Sequence, residues 1–379
     1  EQIINRAKSH SNRMPEHRAI ILSNFAIGYT NLRKSLKNKE TIILGIESSC
    51  DDTSAAIIRG TEVLSNITAS QKIHEEYGGV VPELASRAHQ KNIIPVVDVA
   101  LKNANISKDD IDAIAFTRGP GLLGSLVVGT SFAKSFALAL DKPIIDVNHM
   151  YGHVLAHFID DEGKNKPSFP FLCLTVSGGH TQIVLVRDYL DMEVIGSTID
   201  DAAGEAFDKA AKLLGFPYPG GPLIDKHAKL GDPSIFTFPH PQIKDYNYSF
   251  SGLKTSILYF IQKETVKNPN FVQENLNDLC AGIQDTIVSI VLKKLKKAAK
   301  ELKIKDIAIA GGVSANSGLR EALTALGEKE RWSIFVPKFE YCTDNAAMIA
   351  ITGKYMFDNE QFADQSVSAT ARMPIPSSW

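Results

Sequence analysis

Two stretches of this sequence, one opening at Thr41 and one at Phe171, run through the same order of elements. That repeat narrows the folds open to the chain more than any single motif does. In the first stretch the apolar run Ile42–Ile46, a polar turn at Asp51 and Asp52, Ala55–Ile58, a turn at Gly60 and Val63–Ile67 read as three short strands joined by tight turns. Residues Pro82–Ala104 carry apolar positions at helical spacing, and a strand over Ile111–Phe116, a glycine-rich turn, a helix over Leu123–Leu140 and a strand over Ile144–Val147 follow. In the second stretch Phe171–Val176, Gln182–Val186 and Met192–Ser197 form another three-strand set. After intervening helices come a strand over Asp306–Ala310, a helix from Ser314, a strand over Trp332–Val336 and a closing helix.

A duplicated βββαβα unit predicts an α/β protein of two actin-like, sugar-kinase-like lobes with a ligand cleft between them, the strand turns of both lobes pointing into the cleft. The boundaries expected are a basic N-terminal extension over 1–40, a first lobe over 41–165, a second lobe with an insertion over 166–349, and a C-terminal helix and tail over 350–379 packing back toward the first lobe. A chain of 379 residues, 44% of them hydrophobic, can bury two cores, which excludes a disordered adaptor and a disulfide-dependent miniprotein. Lys and Arg number 41 against 43 Asp and Glu, so a nucleic-acid partner would be met by a local patch rather than a global field. Cys50, Cys173, Cys280 and Cys342 have no CxxC spacing and read as free thiols in a reducing compartment. No apolar run approaches the roughly 20 residues of a bilayer span, and no membrane partner is expected.

The first forty residues hold eight Lys or Arg against three acids, with serines interspersed. That composition reads as a mitochondrial transit segment, or what remains of one, and equally as a helical extension packing on the body or on a second subunit.

The turn Ser48–Thr53 carries hydroxyls and carboxylates, and Ser177-Gly178-Gly179-His180-Thr181 occupies the matching turn of the second unit. As a pair they read as phosphate jaws, backbone N–H groups of the glycines approaching an anion. As single turns they would be ordinary hairpins. Gly311-Gly-Val-Ser-Ala-Asn316 ends a buried strand and opens a helix, a junction that aims N–H groups at a ligand, and Asn316 could hydrogen-bond a ribose or base. Phe216–Pro222 is a rigid loop with two glycines. His149 and His153 stand one helical turn apart, and His157 continues the row. Two imidazoles with one carboxylate from elsewhere, for which Asp344 is the choice, suit zinc or ferrous iron. A half-buried histidine-bearing helix face is the plainer alternative. The basic run Lys293–Lys297 offers a tRNA contact or a solvated helix face.

Taken in order, Gly45–Thr53, His149–His153, Val176–Thr181, Asp200–Lys209, Tyr248–Lys254, Ala310–Asn316 and Cys342–Asn345 resemble the tRNA adenosine threonylcarbamoyltransferase family, from about residue 42 to 350. The basic leader makes the chain look like a mitochondrial member. The resemblance implies transfer of a threonylcarbamoyl group from threonylcarbamoyl-AMP to the exocyclic amine of the adenosine beside the anticodon, in tRNAs reading codons that begin with A. It implies tRNA as partner, a separate threonylcarbamoyl-adenylate synthase supplying the donor, a homodimer, and one divalent metal ion, iron or zinc, per subunit in the mitochondrial matrix. Position by position, the metal ligands would be His149, His153 and Asp344, and Thr175, Val176, Ser177, Gly178, Gly179, Asp208, Gly221, Asp225 and Asn316 would bind the adenylate. Tyr151 stands where many bacterial relatives have a Glu, and Ala346 replaces a common Gly. Asp51 or Asp52 would accept the amine proton.

Three rival readings remain open: a metalloprotease, although HxxxH lacks the glutamate general base of HExxH; an ATP-dependent kinase or chaperone, by architecture alone; and a binding protein that keeps the nucleotide site without turnover.

Overall fold

The computed structural model describes residues 40–375 apart from 72, 161, 162 and 164. The basic leader and its targeting reading lie outside the described residues. Two five-stranded sheets carry the repeat. The first comprises β1 (Ile42–Glu47), β2 (Thr53–Arg59), β3 (Glu62–Ala69), β4 (Ala113–Gly119) and β5 (Ile144–Asn148), in the order β3-β2-β1-β4-β5. The second comprises β6 (Phe171–Val176), β7 (Thr181–Asp188), β8 (Asp191–Ser197), β9 (Asp306–Ala310) and β10 (Ser333–Phe335), in the order β10-β9-β6-β7-β8. Read from β8, the second order reproduces the first. In each sheet the first three strands pair antiparallel and the last two join in parallel.

The strands at the centre are apolar throughout because both faces are covered. Every residue of β1 and of β6 is buried. Helix α1 (Pro82–Ala104) opens with Pro at its first turn and closes on Asn105 in the left-handed region at φ 52°. Helix α2 (Leu123–Leu140) is long and apolar enough by composition to cross a bilayer, but one face, including Leu126, Ala133 and Ala137, is buried against the sheet side of the lobe.

Helix α3 (His149–Leu155) follows β5 directly, and Asn148 caps it by accepting from Met150 N at 2.9 Å. Beyond the second three-strand set come α4 (Ala203–Leu213), α5 (Gly221–Ala228), α6 (Ser251–Lys267), α7 (Leu276–Leu302), α8 (Ser317–Glu330) and α9 (Ala346–Asp358). The helix expected from Ser314 begins at Ser317. Residues Gly312–Ala315 form a 3-10 turn, and Asn316 sets the start of α8 by accepting from Leu319 N at 2.9 Å.

Helix α9 packs whole on the first sheet rather than from residue 350 onward. A Cβ on Gly45 would lie 2.4 Å from Ala346 O, so the bare glycine lets the start of this helix close on β1. The apolar middle cluster accordingly joins Ile43, Ala56 and Ala115 of the first sheet to Cys173, Val184 and Ala308 of the second through Met348 and Ile351. The tail then runs back along the first lobe: Ala363 N donates to Ile144 O, Thr370 N to Arg118 O, and Asn148 Nδ2 to Pro374 O at 3.0 Å.

Candidate functional site

His149 and His153 lie on consecutive turns of α3, their rings edge to face with centroids 4.7 Å apart. Asp344 precedes α9. Its Oδ1 is 3.3 Å from His149 Nε2 and 3.3 Å from His153 Nε2. The two histidine side chains are almost wholly buried, and the Asp344 side chain is 31% exposed. Two donors bound about 2.1 Å from a tetrahedral ion stand roughly 3.4 Å apart, so the spacing fits a divalent cation with nitrogen and oxygen ligands. Among the described residues Nδ1 of His153 is buried without a hydrogen bond, and a buried polar group needs a partner. The cluster straddles the repeat, its imidazoles coming from the end of the first unit and its carboxylate from the end of the second.

Electrostatics couple these groups. Burial pulls the His149 imidazole down, but the carboxylates of Asp344 and Glu47 outweigh it and hold its pKa well above the ordinary range. Burial raises the Asp344 carboxyl, yet the neighbouring imidazoles bring it well below the usual value. His153 is lowered by burial. His157 does not join the row. It falls in the 3-10 turn Ala156–Phe158, where the tighter winding swings it off the face, and its Nε2 is hydrogen-bonded to Ile309 O at 2.9 Å.

The turn after β1 differs from a phosphate jaw. Ser48 Oγ donates to Ser125 O, Ser49 Oγ lies 3.2 Å from His149 Nδ1, and Thr53 Oγ1 is 2.8 Å from His89 Nδ1. The hydroxyls are spent inside the protein, and the turn offers a ligand chiefly carboxylates. Burial and the charge of Asp51, against a hydrogen bond from Ser70, push the Asp52 carboxyl up to about 6. The matching turn after β6 is open: Gly178 and Gly179 are exposed, with empty space where a Cβ would sit. Its fourth residue, His180, is lowered to about 4 by burial and by the imidazole charges of His149 and His153.

A cavity of about 290 Å³ lies next to this open turn, lined by Gly178, Asp208, Gly221, Asp225, Asn316 and Phe339 among others. Among the described residues, its lining comes from the second unit. Asp208 Oδ1 accepts from Gly220 N at 2.9 Å and from Gly221 N at 3.1 Å, which fixes the Phe216–Pro222 loop and leaves Oδ2 available to a ligand. Burial raises the Asp208 carboxyl. Asp225 takes Ser317 Oγ at 2.7 Å and Ser317 N at 3.2 Å, holding the start of α8.

Asn316 is less available than expected. Its carbonyl caps α8 and its amide donates to Gln284 Oε1 at 2.7 Å, which leaves a ligand its second N–H and the other lone pair of the carbonyl. Thr175 and Val176 are buried in β6 and Ser177 holds the turn, accepting from His180 N and Gly204 N; none of the three lines the cavity. The basic run is a paired helix face: Lys294 donates to the carbonyls of Ile243 and Asp245, and Lys296 pairs with Glu330.

Three residues carry weight that the sequence reading gave them no share of. Glu47 is buried beneath His149. Tyr218 belongs to the second unit, and burial and then the negative charge of Asp51 raise its phenol to about 12. Phe339 lines the cavity while remaining 69% exposed.

Two lobes on one repeated sheet, with a metal-type cluster between their ends and a carboxylate-lined cavity beside a glycine turn, define a protein of the actin and sugar-kinase-like class. A solved structure of full-length HypF, bound to phosphate and nucleotide, shares this fold with a TM-score of 0.58 at 15% identity, covering 86% of this chain and 48% of that one. The chain belongs to the tRNA N6-adenosine threonylcarbamoyltransferase family, which matches residues 62–351. The transferase of that name from Riemerella anatipestifer is 64% identical over 337 residues, 89% of this chain and 99% of the relative. That from Christiangramia forsetii is 62% identical over 89% of this chain and 99% of its own. The chain is therefore an enzyme, a tRNA threonylcarbamoyltransferase.

Proposed function

We propose that the chain transfers the threonylcarbamoyl group from threonylcarbamoyl-AMP to N6 of the adenosine beside the anticodon, in tRNAs reading codons that begin with A. The observation that carries this reading is the 290 Å³ cavity, with Asp208 and Asp225 in its wall and the open Gly178–Gly179 turn at its side, in a chain that also holds the His149, His153 and Asp344 cluster. Carboxylates suit ribose hydroxyls, and unhindered glycine N–H groups suit the phosphate of an adenylate.

His149, His153 and Asp344 would hold the divalent ion, iron or zinc. When bound, it supplies Lewis-acid polarisation and offsets the negative charge that Asp51 and Asp52 place near a phosphate. The donor is a mixed anhydride and already activated, so the chain's own work is orientation and proton transfer. The N6 nitrogen attacks the carbamoyl carbon, the carbon–oxygen bond to phosphate breaks, and AMP leaves. Asp52, half-buried and with its pKa near 6, takes the N6 proton and is ionised enough at neutral pH to do so.

The donor comes from a separate adenylate synthase. A homodimer is supported by the apolar residues left exposed on α1 and α2, Ile94 at 65% and Leu138 at 71% among them. Residence in the mitochondrial matrix is supported by the basic, acid-poor composition of residues 1–40 alone. Fusing those residues to a fluorescent reporter tests it, and a reporter that stays outside mitochondria ends that reading.

The decisive assay supplies threonylcarbamoyl-AMP carrying labelled threonine, with unmodified tRNA and the metal-loaded chain. Label in the tRNA, lost in Asp344→Ala, is the expected result. An active synthase and no labelled tRNA would overturn the donor assignment.

A further inference from the structure

We propose that Glu47 is a positioning residue, which orients His149 through its second ring nitrogen and supplies the second negative charge of the metal site. The inference rests on reading His149, His153 and Asp344 as metal ligands, and it concerns a residue outside that set.

Glu47 ends β1, a strand whose other residues are Ile, Leu and Gly, and its side chain is fully buried. A buried carboxylate is costly unless its oxygens are satisfied. Here both oxygens are satisfied, and one of them faces an imidazole. Oε1 accepts from Ser49 N at 2.5 Å, and Oε2 accepts from Thr117 Oγ1 at 2.5 Å. Oε2 is also 3.0 Å from His149 Nδ1. Thr117 lies on β4 and Ser49 on the turn beyond β1, so the carboxylate is gripped from two elements and cannot turn away.

An ionised carboxylate only accepts hydrogen bonds, so His149 must donate from Nδ1. The neutral ring then carries its lone pair on Nε2, which is the atom that meets His153 and Asp344. This is the arrangement by which an outer carboxylate fixes the tautomer and angle of a metal-binding histidine. The charges agree: two neutral imidazoles with the carboxylates of Asp344 and Glu47 sum to minus two, balancing one divalent ion. A residue needed only to fill space at the end of β1 would not require that charge.

The test titrates Zn²⁺ into the metal-free full-length chain and follows ¹⁵N-labelled histidines by NMR. Glu47→Gln keeps the shape and removes the charge, and its zinc dissociation constant is expected to rise roughly 10- to 100-fold. Thr117→Val keeps the charge and removes one grip, with a rise of roughly three- to tenfold. In the zinc-loaded wild type, His149 is expected to show a protonated Nδ1 and a metal-bound Nε2.

Unchanged zinc affinity in Glu47→Gln, or zinc on Nδ1 of His149, would overturn the assignment. Should Glu47→Gln not fold, Thr117→Val decides, and unchanged affinity there overturns it equally. None of these readings uses tRNA or donor. Loss of transfer in the wild type with the zinc results intact would therefore end the functional reading and leave the role of Glu47 standing.

Discussion

His153 Nε2 lies 3.3 Å from Asp344 Oδ1, although the histidine belongs to a helix of the first lobe and the aspartate stands at the start of the last helix. The site is thus closed by the chain's return to the first lobe. His153→Ala is expected to weaken zinc binding by at least about 100-fold and to abolish tRNA labelling, with the fold retained. Metal titration with circular dichroism checks this. Tight zinc binding in the variant would remove His153 from the ligand set.

Phe339 offers an exposed aromatic face at the mouth of a cavity with ribose-type carboxylates. Stacking on a base contributes about 1–3 kcal/mol by alanine substitution. Phe339→Ala is expected to weaken AMP binding by about tenfold, with Phe339→Tyr close to wild type. Calorimetry with AMP and with ribose 5-phosphate separates base stacking from a general loss, because only AMP should be affected.

The raised Asp52 carboxyl makes a pH prediction whose sign is fixed. The folded pKa near 6 lies above the ordinary 3.8, so the folded state favours the protonated form. Its stabilisation is present below about pH 4 and is lost as pH rises through 6. Asp52→Asn is therefore expected to be more stable than wild type at pH 7, by about 1–2 kcal/mol after allowance for solvent access, and no more stable at pH 4. Paired urea melts at the two pH values decide it. The same variant should lose most transfer activity, and an unchanged single-turnover rate would end the base assignment.

Asp225 bonds both Oγ and N of Ser317, at the first turn of α8. Asp225→Ala is expected to cost about 1–2 kcal/mol of stability by orphaning that turn, and to weaken AMP binding as well. Asp225→Asn, which keeps an acceptor, should recover most of the stability. AMP affinity equal to wild type in both variants would mean that Asp225 serves the helix alone.

At Gly311 the backbone holds φ at 87°, and a Cβ there would lie 2.5 Å from Val176 O. Gly311→Ala is expected to cost about 1–3 kcal/mol, because strain and a backbone clash coincide beside the glycine turn. Thermal unfolding checks it, and a wild-type melting temperature would show that β6 can move aside.

How much of the site was legible follows from what each residue does. The spacing of His149 and His153 put two imidazoles on one helix face before any fold was known, because helical period alone decides that. His157 was misplaced by the same rule, since the helix tightens after Leu155 and the period changes. Asn316 was correctly placed at a strand–glycine–helix junction, but the helix it begins draws on the same side-chain oxygen that a ligand would need. Glu47 lies within the Gly45–Thr53 motif, where local sequence assigns it no role. Its signal was an acid ending an otherwise apolar central strand, which gains meaning only once His149 is known to lie above it.

The sequence by itself determined the repeat, the order of strands and helices, and the chemical kinds present at each turn, because periodicity and turn chemistry are local properties of the chain. Only the tertiary structure decided which turn hydroxyls were already spent, which residues line the cavity, and that Asp344 meets two histidines. Those outcomes depend on partners far apart in sequence, and Asp344 in particular is brought to the histidines by a helix that packs on β1 so closely that no side chain fits at Gly45.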